Sequence, residues 1–381
     1  MGNRKIGIIG GGIAGLTTAI ALQHLGIEAH VYDAAPRFEP VGAGLALAAN
    51  AIKGFQRLNI AEEVMAEGNC LDGFHIFDAE GKLINRTDSR AISDKYGLDN
   101  FVIHRAALHQ VLVRQLPENT LHANKRAVRT SSSQEGITVQ FQDGDHLLFD
   151  YLLVADGINS NIRKQLLPQS QPRYAGYTCW RAVIENPGLE SIYASETWGK
   201  AGRVGWTPLK GNKIYWFACI NAPENDPRMK DMQVEDLVRH FGQYHAPIPD
   251  LFRHTQPDQL LWHDLYDLAP LPQFAFPNIL LLGDAGHATT PNMGQGACQA
   301  VEDAVVFADE LKKDYDFPLA AQRFEKRRMP RTQWITRQSR FLGEVAQSQN
   351  PVYMKARNFA LRHLPTWIND KQLEKIYSVD F

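Results

Sequence analysis

Residues 5–33 of the chain read KIGIIGGGIAGLTTAIALQHLGIEAHVYD. A short apolar run, Lys5–Ile9, leads into three consecutive glycines, and the residues after them carry apolar side chains at helical spacing. Ala29–Tyr32 then predicts a second strand, which ends at Asp33. This order predicts a strand–helix–strand unit of about 30 residues, the length typical of half a dinucleotide-binding fold.

The glycines of this unit follow the spacing G-x-G-x-x-G and open the predicted helix. The first glycine permits the tight turn, the second lets a pyrophosphate approach the backbone, and the third lets helix and strand pack closely. Free N–H groups and the helix dipole favour the phosphates at the helix N-terminus, and an acid at the next strand end accepts ribose hydroxyls. The residues predicted to bind the cofactor here are Gly10, Gly12, Ala14, Gly15 and Asp33.

The composition is that of a globular enzyme able to bury a large core, with 381 residues, 44% of them hydrophobic. The net charge of −2 disfavours a nucleic-acid partner. The four cysteines are scattered without a C-x-x-C pair, which predicts reduced thiols and no metal site. No apolar run reaches the ~20 residues that span a bilayer. A soluble cytoplasmic protein is therefore expected, as a monomer or a homodimer.

One basic cluster stands out, Glu325–Arg331, which reads EKRRMPR. We interpret it as a solvated helix face that Pro330 interrupts, because charge runs on helices usually face water and proline cannot donate to a helix ladder.

The remaining pattern predicts an α/β protein with a discontinuous dinucleotide-binding domain. Apolar and polar residues alternate over Asn119–Phe149, which predicts antiparallel strands, and the segment from Arg173 to about Asn221 is a second β-rich region with many aromatic residues. A helix is expected at Gly296–Lys312. The predicted domains are 1–172 with 258–330 for the dinucleotide, 173–257 as an inserted, mostly antiparallel substrate-binding sheet, and 331–381 as a C-terminal helical segment.

Two later segments carry further motifs. Leu153–Gly157 reads LVADG at the end of a predicted strand, and Leu282–Gly296 reads LGDAGHATTPNMGQG. Together with the glycine fingerprint, in this order and spacing, these segments resemble the class A FAD-dependent aromatic monooxygenases, which include p-hydroxybenzoate and salicylate hydroxylases. The resemblance covers roughly the first 330 residues. It implies a Rossmann-like FAD-binding domain and a tightly but non-covalently bound FAD.

The resemblance also implies roles for individual residues. Asp284 corresponds to the residue that contacts the flavin ribityl chain, Asp156 to a segment associated with both FAD and NAD(P)H, and Arg105 to an arginine that contacts FAD. A carboxylate at a strand end suits a row of ribityl hydroxyls. Glycines at 294 and 296 let the backbone approach a flat ring, and the helix that starts there directs its N–H groups at the reduced flavin. The residues expected nearest the chemistry are Pro291, Asn292 and Gly294, and those added to the cofactor site are Arg105, Asp156, Asp284, Gly294 and Gly296.

The reaction implied by the resemblance is hydroxylation of a small aromatic or heteroaromatic substrate. NADH or NADPH, as a transient co-substrate, reduces FAD, and O₂ adds to give a flavin C4a-hydroperoxide that transfers one oxygen atom. Other activities on the same fold stay open: an epoxidase, an oxygenase that inactivates an antibiotic, or a flavoprotein that binds a ligand without turnover. A halogenase is disfavoured because its W-x-W-x-I-P stretch is absent.

The substrate is expected beneath the aromatic-rich sheet, opposite Pro291–Gly296. Arg203 and Tyr215 lie in segments similar to those of FAD-dependent urate hydroxylases, where an arginine and a tyrosine bind the purine. Those enzymes carry an aspartate where this chain has Asn292, and an amide cannot accept a proton at neutral pH. Another anionic or phenolic ring is therefore favoured over urate. The residues predicted to bind the substrate are Arg203, Tyr215, Arg181 and Phe217.

Overall fold

The structure is a computed structural model that describes residues 4–38, 43–88 and 100–381. Its strands are, in chain order, β1 (Ile6–Ile9), β2 (Ala29–Tyr32), β3 (Gly44–Leu47), β4 (Gly68–Leu71), β5 (Gly73–Asp78), β6 (Leu83–Asp88), β7 (Asn100–His104), β8 (Leu121–His122), β9 (Ala127–Ser133), β10 (Gly136–Phe141), β11 (His146–Phe149), β12 (Tyr151–Val154), β13 (Pro172–Glu185), β14 (Tyr193–Gly199), β15 (Gly202–Leu209), β16 (Lys213–Asn221), β17 (Leu261–Leu268) and β18 (Ile279–Leu281).

The helices are distributed along the whole chain. They are α1 (Ile13–Gln23), α2 (Ala49–Arg57), α3 (Ala61–Ala66), α4 (Arg105–Arg114), α5 (Asn161–Leu166), α6 (Pro227–Lys230), α7 (Val234–His240), α8 (Ile248–Arg253), α9 (Asp284–His287), α10 (Gly296–Lys312), α11 (Phe317–Ala346), α12 (Pro351–Arg362) and α13 (Thr366–Tyr377). Within the described ranges, no helix is long and apolar enough to cross a bilayer.

A parallel sheet forms the centre of the molecule, with strand order β18-β12-β1-β2-β8. Every neighbouring pair in it is parallel. All four residues of β1 are buried, as expected when layers cover both faces of a parallel sheet. Helix α1 returns the chain from β1 to β2 and packs against α10. The α/β class and the Rossmann-like FAD-binding architecture are thereby confirmed.

A second, larger sheet has the order β17-β13-β16-β15-β14-β5-β6. Its neighbours are antiparallel except for β14 and β5. Because side chains alternate between faces, Trp180, Trp216 and Val204 lie on one side and pack against α7 and α8. The other side carries Tyr177, Cys179 and Arg181 and faces the parallel-sheet part of the molecule. We call this side the inner face.

The strands of this sheet come from three parts of the chain. Strands β13–β16 fall within or at the edge of the predicted segment 173–257, whereas β5, β6 and β17 lie outside it. The sheet therefore contains more strands than the β-rich segment 173–221 predicted. The boundaries 1–172 with 258–330, 173–257 and 331–381 stay a prediction.

The basic cluster Glu325–Arg331 differs from its interpretation as a solvated face. Helix α11 continues through Pro330, and Arg328 is only 2% exposed. Its guanidinium donates to Asp303 Oδ1 at 2.7 Å, to the Glu302 carboxylate, and to Gln299 Oε1 at 2.6 Å. The interpretation was wrong because the acids that neutralise Arg328 lie on α10, about 25 positions away, and no local pattern reveals them.

Replacing Arg328 tests this joint between α10 and α11. Arg328→Ala leaves Glu302 and Asp303 buried with less compensation, so we expect the free energy of unfolding to fall by about 3 kcal/mol. The matched control is Arg337→Ala on the exposed side of the same helix, where a change within about 0.5 kcal/mol is expected. Urea denaturation measures the free energy of unfolding of both variants, and equal decreases would contradict a structural role for Arg328.

Candidate active site

The glycine fingerprint forms a tight turn between β1 and α1. Gly10 has a φ of +107°, and a Cβ there would lie 2.2 Å from the carbonyl oxygen of Ala155. A Cβ on Gly15 would lie 1.9 Å from the carbonyl oxygen of Gly10. A Cβ on Gly12, by contrast, would meet no atom of the described residues within 4 Å. Gly10 and Gly15 therefore allow the turn to pack closely, and Gly12 borders the open space where a pyrophosphate would lie.

The N-terminus of α1 and the end of β2 meet at this space. The N-cap residue of α1 is Gly12, which has no side chain to accept from the first N–H groups, so these suit a phosphate. Asp33 accepts a hydrogen bond from the Gly11 N–H at 2.6 Å through one oxygen and from the Ala35 N–H at 2.7 Å through the other. A carboxylate has about four acceptor positions, so Asp33 retains capacity for ribose hydroxyls.

Asp156 follows β12 and lies against the fingerprint turn, since a Cβ on Gly10 would come within 2.8 Å of its Cα. Burial raises the pKa of Asp156 to about 6, although the Ser160 hydroxyl and the nearby Arg163 oppose the shift. Oxygen Oδ1 of Asp156 has no hydrogen-bond partner among the described residues. A poorly solvated carboxyl with an unused acceptor is suited to a ligand hydroxyl.

The Gly283–Asp284 turn lies beside the fingerprint. A Cβ on Gly283 would be 2.7 Å from that of Ala14, so the two turns contact each other directly. The Asp284 side chain is exposed in the space beside these two turns, which we call the cleft. Crowding by protein raises the pKa of Asp284, while His287 and Arg105 act in the opposite direction. Arg105, the first residue of α4, is therefore close enough to act on this carboxyl electrostatically.

His287 is buried and donates through Nε2 to Asp303 Oδ2 at 2.6 Å. The same oxygen accepts the Gly283 N–H at 2.8 Å. Burial on its own would raise the pKa of Asp303, but His287 and Arg328 hold it below its ordinary value. The histidine thus supports the turn, and Asp284 is the side chain left facing the cleft.

The segment after this turn forms the floor of the cleft. Pro291–Met293 is a single 3-10 turn, and Gly294 ends it in the left-handed region with a φ of +62°. Helix α10 then begins at Gly296, as predicted, and the side chain of its N-cap residue, Gln295, does not cap it. Pro291 is exposed, and a Cβ on Gly296 would meet no atom within 4 Å in the part of the chain that the structure describes, so this backbone is open to a flat ligand.

Asn292 connects the floor to the large sheet. Its amide nitrogen donates to the Thr290 hydroxyl at 2.8 Å and to the Ser339 carbonyl oxygen at 2.7 Å. Its amide oxygen accepts from the Tyr177 hydroxyl at 3.1 Å and from the guanidinium of Arg203. An amide donates and accepts at once, as these contacts require, whereas a carboxylate can only accept.

Arg203 is 3% exposed and is largely occupied by protein partners. Besides Asn292 it donates to Glu196 Oε1 at 3.2 Å, and it lies 5.2 Å from the centre of the Tyr177 ring. Its Nε has no partner in the part of the chain that the structure describes. Its positive charge is therefore partly neutralised before any substrate arrives.

Arg181, Tyr215 and Phe217 share the inner face with Arg203. Arg181 pairs in register with Phe217, and Val183 pairs with Tyr215. The Tyr215 ring packs on β3, since a Cβ on Gly44 would be 2.4 Å from it. The structure thus places all four predicted substrate residues on one side of the sheet, although Tyr215 also packs against β3.

Sequence reasoning missed several members of this arrangement. Tyr177, Glu196, His263 and Ser339 all contact predicted site residues, yet they come from four separate elements. Strand alternation could have placed Tyr177 with Arg181, because an even number of positions separates them on β13. Nothing local could have indicated Ser339, which lies inside a long helix.

Comparison with known proteins agrees with this geometry. Residues 3–337 match the family model described as FAD binding domain. Aurachin C monooxygenase/isomerase of Stigmatella aurantiaca is 36% identical over 344 residues, covering 90% of each chain. The chain belongs to the FAD-dependent aromatic hydroxylases. It is an FAD-dependent monooxygenase with a small-molecule substrate.

Two further matches support the family membership. An FAD-dependent urate hydroxylase of Klebsiella pneumoniae is 29% identical over 339 residues, covering 87% of this chain and 88% of that one. The crystal structure of Klebsiella pneumoniae HpxO with FAD and uric acid is similar at a TM-score of 0.92 and 26% identity, covering 98% of this chain and 97% of the other. The similarity therefore extends over both sheets and the helices after them.

Two glycine substitutions separate cofactor binding from folding. Gly15→Ala forces a Cβ against the Gly10 carbonyl, so we expect a loss of several kcal/mol of stability. Gly12→Ala, at an ordinary φ of −80°, should leave the fold within about 1 kcal/mol but weaken FAD binding at least about tenfold. Thermal unfolding and flavin-fluorescence titration measure the two effects. Similar losses of stability in both variants would contradict these roles.

The raised pKa of Asp156 predicts a pH-dependent stability. Because its folded-state pKa of about 6 exceeds the ordinary value of 3.8, this carboxyl stabilises the fold below about pH 4, and the contribution is lost as the pH rises through about 6. Asp156→Asn should therefore gain stability relative to wild type between about pH 5 and pH 8, by on the order of 1–2 kcal/mol after allowance for partial exposure. Denaturant titrations of both proteins without FAD measure the difference at each pH, because bound FAD would change the surroundings of this carboxyl and add its own binding free energy. A difference independent of pH would contradict the assignment.

Proposed function

We propose that the enzyme hydroxylates an aromatic or heteroaromatic ring that carries a phenolate or ring-oxo group, with NADH or NADPH as electron donor. The observation that carries the proposal is the composition of the inner face opposite the Pro291–Gly294 turn. Tyr177, Cys179, Cys219 and Phe217 form a largely apolar cluster there. Such a surface suits the faces of a ring, and positive charge beside it suits an oxygen substituent.

Arg181 is the better anchor for that oxygen than Arg203. Arg203 is already paired with Glu196, whereas no carboxylate in the described ranges forms an ion pair with Arg181. Its neighbours there are His263, at 3.2 Å, and Tyr215; the pKa of His263 is lowered by burial and by Arg181 itself. Arg181 Nε has no described partner. A half-buried guanidinium without a counter-charge favours an anionic or strongly polarised oxygen.

Asn292 supports a substrate other than urate. Its amide is engaged on both sides by Thr290, Ser339, Tyr177 and Arg203, so it holds the floor in place and has no basic site to offer. A ring that arrives already as a phenolate or enolate needs no base at this position.

The residues proposed to bind FAD lie in order along the cleft, from its adenosine end to its flavin ring. Gly10, Gly12, Gly15 and Asp33 would hold the adenosine and pyrophosphate end of FAD, Asp156 and Arg105 would contact it further along, and Asp284 would accept the ribityl hydroxyls. Bound FAD, once reduced, supplies the activation of O₂ and the transfer of one oxygen atom. Pro291, Gly294 and Gly296 would face the flavin ring, and the sheet above them would exclude water from it.

The deciding experiment is a screen of phenols, benzoates, quinolone-like rings and purines. A substrate should accelerate NADH or NADPH oxidation and O₂ uptake and yield a product heavier by one oxygen atom. In the same assay Arg181→Ala should raise KM at least about tenfold with little change in FAD affinity, and Arg181→Lys should recover part of that loss. Bound FAD with no oxygenated product from any ring would favour a ligand-binding flavoprotein. Equal losses of FAD and substrate affinity in Arg181→Ala would remove Arg181 from the substrate site.

A further inference from the structure

Two thiols that the hydroxylation chemistry does not use face each other in the inner face. Cys179 on β13 and Cys219 on β16 are directly opposite in the antiparallel register. They are 3% and 1% exposed, and they pack with Tyr177 in a cluster flanked by Phe217 and Leu265. Both are reduced cysteines.

The register gives this pair the geometry of a cross-strand disulfide. The Asn186 N–H donates to the Asn212 carbonyl at 2.9 Å, so the pair formed by these two residues is a hydrogen-bonded one. Cys179 and Cys219 lie an odd number of positions from it, and the two kinds of pair alternate along an antiparallel ladder. Theirs is thus a non-hydrogen-bonded pair, with Cα atoms about 4.5 Å apart. That is within the roughly 4.4–6.8 Å that a disulfide spans.

The neighbours of Cys219 favour its reactive form. Arg203 is opposite Cys219 on the other adjacent strand, β15. Burial alone would raise the pKa of Cys219, but the Cys179 thiol and the Arg203 guanidinium hold it below its ordinary value. The pKa of Cys179 is raised, chiefly by its hydrogen bond with Cys219 and by burial. The pair therefore has one thiol suited to attack an oxidant and one that keeps its proton.

The pair also lies close to the source of an oxidant. Arg203 and Tyr177, which border the two thiols, both contact Asn292 in the turn that forms the cleft floor. Reduced flavins release hydrogen peroxide when O₂ is consumed without hydroxylation of a substrate. Peroxide formed at that floor would be released beside the inner face.

We propose that Cys179 and Cys219 form a peroxide-responsive dithiol in the substrate wall of this enzyme. The Cys219 sulfur attacks one peroxide oxygen, the O–O bond breaks, and a sulfenic acid forms as hydroxide takes up a proton and leaves as water. The Cys179 sulfur then attacks the sulfenic sulfur, its proton leaves with the hydroxyl group as a second water, and a disulfide joins β13 to β16. Two thiols are oxidised by two electrons, and one peroxide is reduced to two waters.

The first experiment treats the FAD-loaded protein with hydrogen peroxide and maps its peptides. We expect two of the four thiols to be lost and one peptide pair, containing residues 179 and 219, to be joined with a mass lower by two hydrogens. With dimedone present, Cys179→Ser should accumulate label on Cys219, and Cys219→Ser should show no label on Cys179. Cys70→Ser, at an exposed cysteine, is the control and should form the disulfide as wild type does. Oxidation of Cys70 with residues 179 and 219 still reduced would overturn the proposal, as would a disulfide that includes any other cysteine.

The second experiment tests whether the flavin site supplies the peroxide. This part of the proposal rests on the proposed function, whereas the pairing of Cys179 with Cys219 does not. Holoprotein is photoreduced and mixed with O₂ in the presence of catalase, so that escaped peroxide is destroyed. Formation of the disulfide despite catalase is the expected result. Its suppression by catalase, with the added-peroxide reaction intact, would overturn delivery from the flavin site.

Discussion

The carboxylate of Asp303 is the interaction on which the cleft depends. From the middle of α10 it accepts the Gly283 N–H, the His287 ring and the guanidinium of Arg328. A buried acid is stable only with such compensation, and here its partners are the turn, the short helix after it and the long helix α11. Breaking one contact would leave charge uncompensated in the buried core. The turn that presents Asp284 is therefore fixed by the same network that joins the two helices.

A second constraint is the alternation of side chains in the large sheet. Trp180 and Trp216 occupy one face and pack against α7 and α8, so the intervening residues must face the FAD-binding part. Those residues include Arg181, Phe217 and the two opposed cysteines. The hydrogen bond from Arg203 to Asn292 then joins this face to the cleft floor. Position on the sheet, rather than any local motif, decides which side chains can meet a substrate.

Much of the FAD-binding part was predictable from local patterns. The bounds Ala29–Tyr32 and Gly296–Lys312 agree with the structure, because a buried parallel strand and an amphipathic helix each have their own periodicity. The cluster Glu325–Arg331 was misinterpreted for the opposite reason: the partners of Arg328 are remote in sequence. The extra strands β5, β6 and β17 were likewise invisible to a local pattern, since pairing between distant strands leaves no signal in either strand alone.

Local patterns were enough to predict the dinucleotide fold, the family and the positions of the turns expected at the cofactor. Glycines at fixed spacing and acids at strand ends carry that information, because backbone sterics and phosphate binding act over a few neighbouring residues. The surroundings of the proposed substrate site depend instead on contacts between distant segments. The tertiary structure paired Arg203 with Glu196 and Asn292, left Arg181 without a described counter-charge, and set Cys179 against Cys219. Each of these depends on strand register and on contacts between distant segments, which are fixed only when the whole chain packs.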